Sequence, residues 1–248
     1  MKISFMTFAS SDWVNSPIRF NSDMKEIQEK YNFFDKIMIW NEKNLGEWYE
    51  KRFSKYYSDH GFAYFSWKPY SLEKALNLTS KGDYLFYIDS GCVLPMDDIE
   101  DFLESIKTTI NEIEKTNTYI GITTYIDRNP RIKNIPNACI IKNEILQDFD
   151  LLYDNNLKFN YPHYQAGIFL LKNDDRTFRF LRQWNEYYNN SYEKSVRGGY
   201  TDRVGQSQCF IHNGSDQAIM QCIIYKNKIN TTLMNWIYKF NLIQHRMG

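Results

Sequence analysis

The chain has 248 residues, 43% of them hydrophobic, which suits one large domain or one domain with an appended lobe. Its formal net charge is zero, which excludes a bulk electrostatic attraction to nucleic acid or anionic lipid. None of Cys92, Cys139, Cys209 and Cys222 forms a C-x-x-C pair, and their spacing resembles neither a zinc site nor a disulfide framework, so reduced, partly buried thiols in a cytoplasmic protein are expected.

Lys2 to Ala9 reads as a first strand, entered directly from Met1 without the apolar segment and cleavage site of a signal peptide. No apolar run is long enough to span a bilayer, so the expectation is a cytoplasmic protein, compatible with peripheral docking on a membrane. Residues 23 to 32 have helical spacing through Met24, Ile27 and Tyr31. Lys36 to Trp40 reads as a second strand and Glu47 to Tyr57 as a helix. Gly61 breaks that helix, and Phe62 to Trp67 reads as extended. Pro69 biases Lys68 away from the helical region, and Ser71 opens a helix to about Leu78.

Tyr84 to Ile88 is a continuous apolar run that ends abruptly in Asp89-Ser90-Gly91. Such a run reads as a strand buried on both faces. A carboxylate at its C-terminal end sits where open α/β sheets bind ligands, and the two small residues let a ligand approach the backbone. Asp89 could hold a hard metal ion or a sugar hydroxyl, or simply cap a turn. A long amphipathic helix follows from Pro95 to about Lys115, then a strand from Tyr119 to Thr123. Residues 125 to 164 are mixed and polar.

Gly167 to Lys172 reads as a strand and Asp174 to Tyr188 as a strong helix. The segment 189 to 214, with Gly198-Gly199, Gly205 and Gly214, reads as a mobile loop, its part from 196 onward a lid over the site. Ser215 is placed to cap a helix from Asp216 to Tyr225. Alternating strands and helices predict an α/β fold with a mixed, mostly parallel sheet flanked by helices. One domain is expected over 1–248, with a ligand-binding half, 1–124, and a less regular half, 125–248. The chain is compatible with being one domain of a longer protein.

In chain order, Trp67-Lys68-Pro69, Tyr87-Ile88-Asp89-Ser90-Gly91, Gln165-Ala166-Gly167-Ile168, Asp216-Gln217 and His245-Arg246 resemble GT-A-fold glycosyltransferases, particularly small bacterial and viral enzymes of surface-glycan synthesis. The resemblance spans residues 1 to 246. It implies a nucleotide-diphosphate sugar as co-substrate, UDP-sugar favoured, and a glycan or other hydroxyl acceptor. It implies donor binding by Thr7, Phe8, Ala9, Lys68, Asp89, Ser90 and Gly91, with the base near Thr7 to Ser10. His163, Gln165 and His212 would line the sugar and acceptor pocket, with Asp216 and Gln217 catalytic.

Asp89 occupies the first position of the family's Asp-x-Asp metal motif, and His245 matches a histidine that reaches the same ion. The third position is Gly91, so one carboxylate is missing. Either Asp89, His245 and the donor diphosphate hold Mn²⁺ or Mg²⁺, or Asp89 binds sugar or ribose without a metal. If configuration inverts, Asp216 is the candidate base, with His163 or His212 as alternatives. If it is retained, Asp216 or Gln217 sits on the opposite face of the sugar. Two rivals stay open: a sugar-phosphate nucleotidyltransferase, disfavoured because Thr7 to Asp12 lacks glycine and lysine, and a carbohydrate-binding module, usually all-β.

Overall fold

The computed structural model describes residues 1–124, 136–193 and 205–240. Within them, β1 (Ile3–Phe8), β2 (Lys36–Trp40), β3 (Tyr84–Ile88), β4 (Ile120–Thr124), β5 (Tyr164–Lys172) and β6 (Thr232–Leu233) form one sheet in the order β2-β1-β3-β5-β4-β6. β1 pairs in parallel with β2 and β3, and β4 with β6, while β5 runs antiparallel to both its neighbours. The helices are α1 (Asn15–Tyr31), α2 (Glu42–Leu45), α3 (Glu47–Phe53), α4 (Trp67–Leu76), α5 (Ile99–Thr116), α6 (Asn143–Asp148), α7 (Asp175–Ser191) and α8 (Asp216–Lys226).

Every residue of β1 and β3 is buried, because helices cover both faces of the sheet. Strand alternation divides the apolar side chains between two cores. Met6, Phe8, Leu85, Tyr87, Phe169 and Leu171 point to the face covered by α3, α4, α7 and α8. Phe5, Phe86, Ile88, Ile168 and Leu170 point to the face covered by α1 and α5. α5 buries Ile99, Phe102, Leu103, Ile106, Ile110 and Ile113, a single stripe at helical spacing, and ends in left-handed Asn117. The all-β architecture that a carbohydrate-binding module would suggest is not this fold.

Several sequence expectations shift. α1 begins at Asn15, eight residues ahead of the predicted start. Pro17 lies in its first turn, where a missing N–H costs nothing. α4 begins at Trp67 for the same reason: Pro69 occupies the first turn, so Lys68 is helical and not extended. β5 starts at Tyr164, so the His163 to Gly167 motif enters the sheet itself. Ser215 does not cap α8 with its side chain; its hydroxyl turns back to the Asn213 carbonyl at 3.5 Å.

The segment expected to be extended is the largest departure. Gly61, Phe62, Ala63, Tyr64 and Phe65 have φ of 62°, 55°, 58°, 47° and 60°, a left-handed turn within the short helical stretch His60–Tyr64 and its cap. Each non-glycine residue there costs roughly 1–2 kcal/mol. Packing imposes it: Ala63 and Tyr64 are buried, and Phe62 stacks on Tyr57 at 4.0 Å. The Tyr188 hydroxyl donates to the Tyr64 carbonyl at 2.7 Å, and Trp67 Nε1 donates to the Gly61 carbonyl at 3.2 Å. Gly61 is required twice over, by its φ and because a Cβ would lie 2.3 Å from the Phe65 ring.

The expectation of four reduced thiols is also corrected. Cys139 and Cys209 form a disulfide, while Cys92 and Cys222 are buried free thiols. Spacing along the chain does not reveal which segments fold back together; here the Ile211 N–H donates to the Cys139 carbonyl at 2.7 Å. Among the described residues no helix is long and apolar enough to cross a membrane.

Candidate functional site

Asp89 is the first residue beyond β3, at the edge of the sheet where the parallel strands end. Its N–H donates to the Gly167 carbonyl at 2.8 Å, and its own carbonyl accepts from the Cys92 N–H at 2.9 Å. Arg19 of α1 clamps the outside of this turn, donating to the carbonyls of Ser90 at 3.0 Å and Cys92 at 2.6 Å. Across from it, Gly167 leaves room for the carboxylate: a Cβ there would stand 3.2 Å from Asp89 Oδ2. Because β5 runs backwards, its beginning meets the end of β3, and His163 to Gly167 arrive beside Asp89.

Lys68, in the first turn of α4, points into the same place. Its Nζ donates to Asp216 Oδ2 at 2.6 Å and to the Ala166 carbonyl at 2.9 Å, and it lies 3.1 Å from Asp89 Oδ1. That carbonyl is available because the β4–β5 register slips from Ile122↔Phe169 to Thr123↔Gln165, passing over Ala166. Tyr87 supplies a further hydrogen bond to Asp89 Oδ1. The Lys68 side chain is 2% exposed, that of Asp216 9% and that of Asp89 33%. Asp89 is therefore the member of the cluster that faces a ligand.

Burial alone would lower Lys68, but the Asp216 and Asp89 carboxylates outweigh it and hold the ammonium above the usual lysine range. Burial pushes the Asp216 carboxyl above the usual carboxylate range, the Lys68 cation opposing that push and the Asp89 anion adding to it. Burial, with Asp89 alongside, also drives the Tyr87 phenol well up, so it stays a neutral donor. Lys68 was expected to reach a diphosphate as a point charge. Its three N–H bonds are instead committed to two carboxylates and a carbonyl, so in this arrangement it orients Asp89 and Asp216.

Two cavities meet at Asp89, sharing His60 and Phe65 from the left-handed turn. One, of about 330 Å³, is polar: Lys68, His163, His212, Asn213, Asp216 and Gln217 line it. Gln217 is hydrogen-bonded to His163 through Nε2 of each. Gln221, one turn further along α8, accepts from the Tyr164 N–H at 2.9 Å and donates to the Pro162 carbonyl at 2.7 Å, which fixes the His163 segment. The second cavity, of about 400 Å³, is walled by the rings of Phe8, Trp13, Tyr57 and Phe62, with Ser10, Ser90 and Gly91 beside them.

Of the residues singled out from the sequence, Phe8, Asp89, Ser90 and Gly91 line the aromatic cavity, and Lys68, Asp89, His163, His212, Asp216 and Gln217 the polar one. Thr7 and Ala9 do not line either; strand alternation turns them from Phe8, and both are buried. Gln165 is likewise outside both cavities and accepts from Thr123 Oγ1 of β4 at 3.4 Å, so its placement in a sugar pocket is corrected. His245, Arg246 and the lid residues 196–204 lie outside the described residues. His60, Phe65, Trp13, Arg19 and Asn213 carried no sequence signal, since folding from distant segments brings them here.

The donor set does not make a metal centre by itself. Among the described residues no cluster of three His, Cys, Asp or Glu side chains could hold an ion. The cation already beside Asp89 is the Lys68 ammonium.

No protein-family model matches the chain, and no curated protein matches it. Among solved structures it is similar to mouse xyloside xylosyltransferase 1 in its apo form, at 11% identity and a TM-score of 0.42, over 94% of this chain and 85% of that one. It is also similar to the galactosyltransferase LgtC in complex with donor and acceptor sugar analogs, at 9% identity and a TM-score of 0.43, over 94% of this chain and 73% of that one. An active-site mutant of LgtC aligns with 100% of this chain and 81% of its own, at 9% identity and a TM-score of 0.38. The likeness is one of fold at low identity. At these scores no residue role passes from those proteins to this chain.

Proposed function

We propose that the chain is a glycosyltransferase that moves a sugar from a nucleotide-diphosphate sugar, UDP-sugar favoured, to a hydroxyl acceptor such as a glycan. The observation that carries this reading is the position of Asp89: a partly exposed carboxylate, held by Lys68 and Tyr87, at the junction of an aromatic cavity and a polar one. A flat base suits the rings of Phe8, Trp13 and Phe62, with the hydroxyls of Ser10 and Ser90 beside it. A sugar suits the polar cavity, and Asp89 accepts a hydroxyl where the two meet.

In this reading residues 1–124 form the donor half, with Asp216, Gln217, His163 and His212 contributed by 125–248. The bond from the anomeric carbon to the diphosphate breaks, its electron pair stays on the leaving diphosphate, and the acceptor oxygen bonds to the anomeric carbon as its proton departs. Asp216 stands in the polar cavity with its pKa raised by burial, the direction a general base requires. Lys68 keeps both carboxylates aligned, which is a positioning role. A divalent cation, Mn²⁺ or Mg²⁺, belongs to the proposal through Asp89 and His245, and no step is assigned to it.

The test is thermal unfolding with UDP and GDP and their sugars, with and without Mn²⁺. A ligand at one hundred times its Kd stabilises by about 2.7 kcal/mol. No shift with any of these at millimolar concentration counts against the reading. Asp89→Ala should abolish donor turnover while the fold persists, and an active Asp89→Ala variant removes Asp89 from the site.

A further inference from the structure

Asn213 lines the polar cavity although the residue is only 1% exposed. Its side-chain oxygen is occupied, accepting from the Ser215 N–H at 3.3 Å. Its Nδ2 is buried and has no hydrogen-bond partner. A buried amide N–H left unsatisfied is costly, and native structures leave such groups only where another partner meets them.

The backbone around Asn213 is fixed tightly enough to aim it. The Gly214 N–H donates to the Ile140 carbonyl at 2.7 Å, and a Cβ on Gly214 would stand 3.3 Å from that oxygen. Ser215 holds φ 46° and ψ −111°, outside the ordinary regions for a residue with a side chain. Upstream, the Ile211 N–H donates to the Cys139 carbonyl and the Cys139–Cys209 disulfide joins the same two segments. The Asn213 amide is thus clamped on both sides, with one donor left over.

We propose that Asn213 is a sugar-reading residue, whose Nδ2–H donates to a hydroxyl oxygen of the transferred sugar in the polar cavity. This rests on the glycosyltransferase reading above and goes beyond it by assigning a specificity contact. The cavity presents carboxylates at Asp89 and Asp216, which accept from hydroxyl hydrogens, and Asn213 supplies the complementary donor. A donor held this rigidly recognises an oxygen at one place on the ring and penalises a sugar without it.

The experiment measures binding of UDP, UDP-glucose, UDP-galactose and their monodeoxy analogues by calorimetry, and donor hydrolysis by released UDP. It compares wild type with Asn213→Ala and Asn213→Asp. The second variant keeps the oxygen that Ser215 uses and replaces only the donor, so it guards against a folding defect. We expect both variants to bind UDP as wild type does. One monodeoxy donor should bind wild type about 10- to 100-fold more weakly than its parent, and the variants should not distinguish the two. If wild type binds UDP-sugars and the variants keep full sensitivity to every deoxy position, the Asn213 assignment is overturned alone. If wild type binds none of these nucleotides, both the assignment and the glycosyltransferase reading fall.

Discussion

Replacing Lys68 with methionine tests whether one ammonium holds the site together. Methionine fills nearly the same volume but leaves Asp216, 6% exposed, without its cation at 2.6 Å, and leaves Asp89 without its neighbour at 3.1 Å. Breaking a buried ion pair from one side costs about 3–5 kcal/mol. At roughly 2–4 °C per kcal/mol for a chain of this size, the melting temperature should fall by about 6–20 °C. Adding Asp216→Leu removes the stranded charge and should recover most of the loss.

The pH dependence has a definite sign. Asp216 has a folded pKa raised above its unfolded value, so its ionisation opposes folding above that value and ceases to do so as pH falls through it. The deficit of Lys68→Met should therefore shrink on acidification toward pH 4. In wild type, Lys68 has a raised folded pKa. Its contribution is complete below the ordinary lysine value and disappears as pH rises through the folded one. Equilibrium urea unfolding at several pH values, with unchanged m, reads all of this. A loss below about 1 kcal/mol at pH 7 that does not vary with pH would refute the neutralising role given to Lys68.

Gly61→Ala should cost about 2 kcal/mol or more in the same assay, since alanine meets both a left-handed φ and the Phe65 ring, and nucleotide affinity should drop with it. Gly167→Ala should act differently: the new methyl presses on Asp89 Oδ2, so donor turnover should fall about tenfold while stability changes little, as paired kinetics and unfolding would report. For Cys139→Ser, the chain-entropy expression for a separation of 70 gives about 4 kcal/mol, measured as the difference in denaturation midpoint times m. An unchanged midpoint would mean the disulfide leaves the unfolded chain unconstrained.

Much of the nucleotide-side architecture was legible because burial writes itself into local pattern. Tyr84 to Ile88 could be read as a doubly covered strand, and Asp89 as its tip, from apolar continuity alone. Pattern failed where tertiary packing overrode it. Phe62 to Trp67 is rich in aromatics and looks extended, yet the ring of Tyr57 and the hydroxyl of Tyr188, distant in sequence, hold it left-handed. Strand direction has no signature in a period of two, so the reversal of β5 was not readable, and with it the meeting of Gly167 and Asp89. Lys68 could be picked out as unusual, but not its partners. Asn213 sat in the motif His212 to Gln217 without drawing notice, because an orphaned donor exists only in three dimensions.

The backward strand β5 has a consequence for how this molecule could be altered. β4 ends on the edge that carries Asp89, and β5 begins on that edge, so the chain from 125 to 163 departs and returns on the same rim. Its length and content can be exchanged without re-threading any strand. The sheet and the Asp89 turn would remain as a fixed chassis, and an interchangeable cassette beside it would select what enters the polar cavity.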